Sequence, residues 1–203
     1  MKRILCAALA LMLAVCGVAL AESLAPMFES LNTTDASHPV SFNRDNLKDG
    51  VLNDVQIYSR DLYDDASVEK LAVGDTFTGE GREVTVETLA TDALGQILIN
   101  GGYPEDNGFT LTRLEEEYGD GWRTITDDDF ATYTLRDTLS LTLDENVIFE
   151  DTWDIDGEPV NATGIEAVTN AIMTSGNDRF DELNTELRLE DGKVVEIIRC
   201  YVP

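Results

Sequence analysis

The chain has 203 residues, 43% of them apolar and 7% aromatic, with 15 Gly and 5 Pro. That is enough apolar material for a packed core and excludes a chain disordered throughout. Acidic residues number 40 against 14 basic ones, a net charge of -26. This excess argues against nucleic-acid binding, where Lys and Arg must neutralise phosphates, and against electrostatic attachment to anionic lipid.

The first element is a leader. Lys2 and Arg3 precede an uncharged run from Ile4 to Ala21, and Ala19-Leu20-Ala21 supplies small residues ahead of Glu22. Residues 1–21 therefore read as a secretory signal peptide, and the expected localisation is secreted or extracytoplasmic, by bacterial export. Two alternatives compete for the same residues. An uncleaved anchor would use a run that barely reaches spanning length. A lipoprotein would be modified at Cys16, but Val15 stands where a lipobox needs a small residue. Cleavage before Glu22 leaves 182 residues, takes the charge from -26 to -28, and leaves no membrane span. Cys6 and Cys16 leave with the leader, so Cys200 is a lone thiol and the mature fold has no internal disulfide. Asn32-Thr33-Thr34 and Asn161-Ala162-Thr163 match the glycosylation sequon, which has no use in a bacterial pathway.

Residues 22–46 read as a tether or arm, with a short helix around Leu24 to Leu31, and the core is expected to begin near Leu47. Residues 47–203 read as one β-rich domain, all-β or α+β, built from antiparallel meanders and hairpins. Period-two alternation marks half-buried strands at Glu83–Glu87, Phe109–Thr112, Ala131–Leu135 and Thr138–Leu143, and Ile97-Leu98-Ile99 reads as a central strand covered on both faces. Asp-Gly at Asp49, Asp120, Asp156 and Asp191 and Asn-Gly at Asn100 and Asn107 supply hairpin turns. Four strands between residues 51 and 100 suit a small barrel-like N-terminal half. A seam between two lobes is expected near 103–122, around Glu115-Glu116-Glu117.

A short helix is expected from Ser67, with Val68 and Leu71 on one side. The better specified helix lies near 164–175. Thr163 and Glu166 are spaced as a capping box, Ile165, Val168 and Ile172 follow at helical spacing, and Gly176 is placed to end it. The C-terminus reads as a hairpin around Asp191-Gly192. A two-residue loop would set Glu190 opposite Lys193, and a three-residue loop would align Leu187 with Val195. Cys200 is expected to be buried on the last strand.

The sequence assigns no catalytic, cofactor-binding or metal-binding residue. The one histidine, His38, falls in the presumed tether, so a Cys–His pair with Cys200 or a serine triad finds little support. One His and one mature Cys cannot supply a usual zinc site. Gly79-Glu80-Gly81-Arg82 is too short to cradle a phosphate and reads as a turn. Calcium is the only cofactor with an argument. Thr152-x-Asp154-x-Asp156-Gly157 resembles the start of an EF-hand loop, but Thr152 and Thr163 replace its end ligands, and Asp127-Asp128-Asp129 would chelate only within a loop. On the strand after Asn146, period two places Asp151 on the face of Val147, Phe149, Trp153 and Ile155. A carboxylate there requires a partner. Hydrogen bonds from backbone or arginine are favoured over a bulge, and a bulge over a cation.

The leading functional reading is a non-enzymatic binding or surface-interaction module with a protein or small-molecule ligand. The alternatives are a small carboxylate-based hydrolase and a calcium-stabilised module.

Overall fold

A computed structural model describes residues 21–27, 37–114, 119–126, 128–154, 156–176 and 178–202. Most of the leader with Cys16, the Asn32 sequon, Glu115-Glu116-Glu117, Asp127 and Ile155 lie outside the described residues. In chain order the strands are β1 (Ser23–Leu24), β2 (Ser37–Ser41), β3 (Leu47–Lys48), β4 (Val51–Arg60) and β5 (Leu62–Tyr63). The helix α1 (Asp65–Val68) precedes β6 (Thr76–Gly79), β7 (Arg82–Thr85), β8 (Leu89–Thr91), β9 (Ile97–Ile99), β10 (Phe109–Arg113) and β11 (Trp122–Ile125). The chain ends with β12 (Tyr133–Thr152), β13 (Val160–Thr163), α2 (Ile165–Thr174), β14 (Thr185–Glu190) and β15 (Lys193–Cys200).

The β-rich, largely antiparallel fold expected from the sequence is present, and its ring-like sheet draws on both halves of the chain. Pairings run β12–β15–β14–β2–β4 and return from β4 to β12, so five strands close on themselves, with β3 and β13 on the flanks. Only β12–β15 within this ring is parallel. Closure removes the exposed edges that an open sheet must otherwise protect. Its core holds Val40, Leu52, Ile57, Leu143, Phe149 and Ile197, covered by Val168 and Ile172 of α2.

Two bulges make this core from imperfect patterns. Leu52 and Val55 are three apart, so strict alternation would turn one outward. A register shift opposite Ser140, with Asp54 at φ 52°, lets both face in. Val194 and Ile197 are reconciled the same way by the shift between Arg188 and Leu189.

The chain leaves the ring at Arg60 and returns at Tyr133. Between them lie all the strands but one of two small sheets, β5–β11–β10–β9–β8 and β1–β6–β7, around a second core of Tyr63, Phe77, Ile99, Phe109 and Leu111; the exception is β1, which joins β6 from the N-terminal side with Leu24 in this core. Phe77 packs on Tyr63 and on Phe109 with ring centroids 5.0 and 4.9 Å apart.

Several local expectations change. Val40 and Phe42 belong to the first core, so the core begins before Leu47, and β2 is an inner strand rather than tether. Residues 103–122 hold no seam in their described part, because β10 pairs directly with β11. Ile97 and Leu98 are only half-buried on the central strand β9. Helix α1 starts earlier than Ser67, because the Asp64 carboxylate caps it by accepting from Ser67 N at 2.8 Å. Helix α2 forms without the capping box: Thr163 is still paired to Ile148 in β13, and Gly164, at φ 86°, takes the cap position. The last hairpin takes the two-residue loop, with Glu190 opposite Lys193 and Asp191 and Gly192 at φ 49° and 76°.

Candidate functional site

The junction of the two cores is built from Asp61, the residue between β4 and β5. Its side chain is 1% exposed, and its carboxylate accepts from Glu80 N at 2.6 Å and from Thr134 Oγ1 at 2.7 Å. Burial pushes this carboxyl above the usual range, and the two hydrogen bonds oppose the shift. The neighbouring strand is arranged to meet it. A register shift at Arg136 separates Thr134 from the inward leucines of β12, so Thr132 and Thr134 face in and Leu135 is exposed. The Thr132 hydroxyl pairs with that of Thr124, joining β11 to the start of β12. Tyr63 donates to Thr78 O at 2.8 Å. Polar side chains thus bind the ring to the lobe where the sequence shows only alternation.

Against this buried polar layer lies a recess of about 360 Å³, lined by Arg60, Asp61, Leu62, Leu114, Arg123 and Tyr133, with Glu186 at its side. Its walls come from both cores. The hollow over the start of α2 is shallower and lined by residues from one stretch of chain, 163–170. Arg60 forms an ion pair with Glu186. Arg123 forms neither an ion pair nor a hydrogen bond among the described residues, and its Nε is buried without a partner. Burial pushes the Tyr133 phenol up, which keeps it neutral and able to donate.

The acid expected to need a partner has one. Asp151 and Arg199 are direct neighbours across β12 and β15. Arg199 Nε donates to Asp151 Oδ1 at 3.0 Å, Arg199 Nη2 donates to Oδ2, and Trp153 N donates to Oδ1 at 2.9 Å. Arg199 is 1% exposed and lies over the Phe180 ring at 4.2 Å. The same alternation turns Cys200 outward, so this thiol is exposed, against expectation. His38 is buried and stands level with Ile197 through Leu187. That separates it from Cys200 by about 10 Å across the sheet and about 10 Å along it, so the two do not meet. The Asp154 side chain accepts from Asp156 N at 3.2 Å, closing a local turn. Among the described residues, no three His, Cys, Asp or Glu side chains come together as a metal site.

Sequence reasoning missed Arg123, Asp61 and Tyr133. The available signal was scarcity: Lys48, Lys70 and Lys193 are the only lysines after residue 21, so each cation in so acidic a chain invites a question. Comparison with protein-family models, with curated proteins and with solved structures finds no match.

Proposed function

We propose that this chain is an exported, non-enzymatic binding module whose ligand site is the recess between the ring and the lobe. The observation that carries this reading is the state of the acids at that recess. Glu186 is paired with Arg60, and both oxygens of Asp61 accept hydrogen bonds from the fold. A hydrolase needs one carboxyl able to give or take a proton at the substrate and a second opposed to it. Here both are committed to structure, whereas the volume and mixed lining suit a small ligand. Among the described residues no helix is long and apolar enough to cross a membrane.

The test is amide NMR of the folded protein against a library of amino acids, organic acids and sugars. The expected result is a set of shifts confined to Arg60, Leu62, Arg123 and Tyr133. Shifts mapping elsewhere would move the site. Turnover of a chromogenic ester or glycoside, lost in Asp61→Asn or Glu186→Gln, would replace the binding reading with the hydrolase.

A further inference from the structure

We infer that the recess selects a small monocarboxylate, with the carboxylate received by Arg123 and an apolar or aromatic body held against Leu62, Leu114 and Tyr133. This rests on the recess being the binding site and adds the chemistry of its ligand.

A guanidinium carries five donors and remains charged at any ordinary pH. In a chain of net charge -26, acidic partners are abundant, and Arg82, Arg113, Arg179, Arg188 and Arg199 each have one. Arg123 has none among the described residues, although it is half-buried and its Nε is closed off from solvent. A guanidinium that lines a recess and has no acidic partner from the protein is free to receive an anion from solution. Arg123 is held in place by the strand ladder, which sets it opposite Leu62 on one side and Thr112 on the other.

The surroundings decide which anion fits. Tyr133 offers a second donor, since its hydroxyl makes no hydrogen bond among the described residues and burial keeps the phenol neutral. Asp61 adds negative charge at the same recess, where Glu186 is neutralised by Arg60. One unpaired guanidinium balances one negative charge. A phosphate dianion would bring two charges to one unpaired guanidinium beside the Asp61 carboxylate, where desolvated charge without a partner is penalised. A carboxylate matches the planar guanidinium and brings a single charge. Leu62, Leu114 and Ala131 form the apolar part of the lining, and the body of the ligand packs against them.

The experiment titrates the folded protein by NMR with acetate, hexanoate, benzoate and phenylacetate, and with benzamide and phenyl phosphate as neutral and dianionic controls. The expected result is that hexanoate, benzoate or phenylacetate shifts the Arg123 and Tyr133 resonances and binds about tenfold or more tightly than benzamide, the discrimination of a charge-assisted hydrogen bond. Acetate and phenyl phosphate bind more weakly than the best of these. Arg123→Gln removes the preference for the acid over the amide, and Tyr133→Phe weakens the acid while retaining the ring. Benzamide binding as well as benzoate, or an unchanged preference in Arg123→Gln, overturns the carboxylate inference and leaves the recess standing as a site. No shift in the recess with any probe overturns this inference, and if the wider library also leaves the recess unmoved the binding reading falls with it. The comparison of benzoate with benzamide in the unaltered protein needs no variant, so it holds even if a substitution fails to fold.

Discussion

The ring and the lobe solve the problem of burying a sheet in different ways. The ring takes strands from both ends of the described chain, β2 and β4 from one side and β12, β14 and β15 from the other, and closes them into a circuit. The lobe pairs mainly neighbours in sequence, β6 with β7 and β8 through β11 in order, and leaves β1, β5, β7 and β8 as the ends of its two sheets. Closure costs loop entropy before it returns contacts, whereas short hairpins return contacts at once. The ring is therefore expected to unfold as one cooperative unit and the lobe to open locally. The difference also explains where polar side chains are buried. The ring places a full ion pair, Asp151–Arg199, inside its wall, while the junction uses hydroxyls and one lone carboxylate.

The sharpest way to break this comparison is Asp151→Ala. It leaves the Arg199 charge buried without its partner and is expected to cost about 3–5 kcal/mol of global stability in urea unfolding, with Asp151→Leu/Arg199→Met recovering most of it. A loss under 1 kcal/mol would mean the pair is not buried. Phe77→Ala removes the ring between Tyr63 and Phe109 and is expected to cost a similar amount, about 3–5 kcal/mol, but in the lobe alone. Hydrogen exchange should then accelerate in β6 to β10 while β4 and β12 stay protected. Equal acceleration in both would merge the two units into one.

Asp61→Ala strands two donors at the junction and is expected to cost about 1–3 kcal/mol. Its pH dependence has a definite sign. Because the folded carboxyl lies above its ordinary value of 3.8, its contribution is full below that value and is lost as pH rises through the folded value. The natural protein should therefore gain on Asp61→Asn as pH falls toward 4, read as the difference between their urea midpoints. A gain in the opposite direction would show that the hydrogen bonds outweigh burial. The smallest effect is expected at Gly192→Ala, where the added methyl meets nothing within 4 Å and only the left-handed backbone, φ 76°, resists it, at about 1 kcal/mol.

Much of the ring was legible in the sequence as local patterns. Asp49-Gly50 and Asp191-Gly192 announce their turns, Leu139, Leu141 and Leu143 mark an inner face, and the spacing of Val168 and Ile172 marks the helix. Asp151 announces its need for a partner because the residues sharing its face are large and apolar. Legibility failed wherever one residue slips the alternation. The bulge residues Asp54, Arg136 and Val195 carry no distinctive signature, and period two is lost across each. His38-Pro39 reads as tether because Pro suits an edge or a linker, yet β2 is closed in by β14 and β4. The recess was illegible for a different reason. Arg60, Arg123, Tyr133 and Glu186 lie on four strands far apart in sequence, and only the return of the chain from lobe to ring brings them together.

That return has a consequence for engineering. Arg60 and Tyr133 face each other as the last rung of the β4–β12 ladder, so all of the lobe except β1 hangs where a hairpin turn would sit. An Asn-Gly link in place of residues 61–132 would close the rung as an ordinary two-residue turn. Residues 61–132 are thus inserted at one turn of the ring, and their excision would keep the ring's pairings while stripping β1 of its partner β6. A trimmed chain would lose Asp61, Leu62, Leu114 and Arg123 together while retaining Arg60, Tyr133 and Glu186. Such a chain would keep the pairings of the ring and lose the lobe's side of the recess.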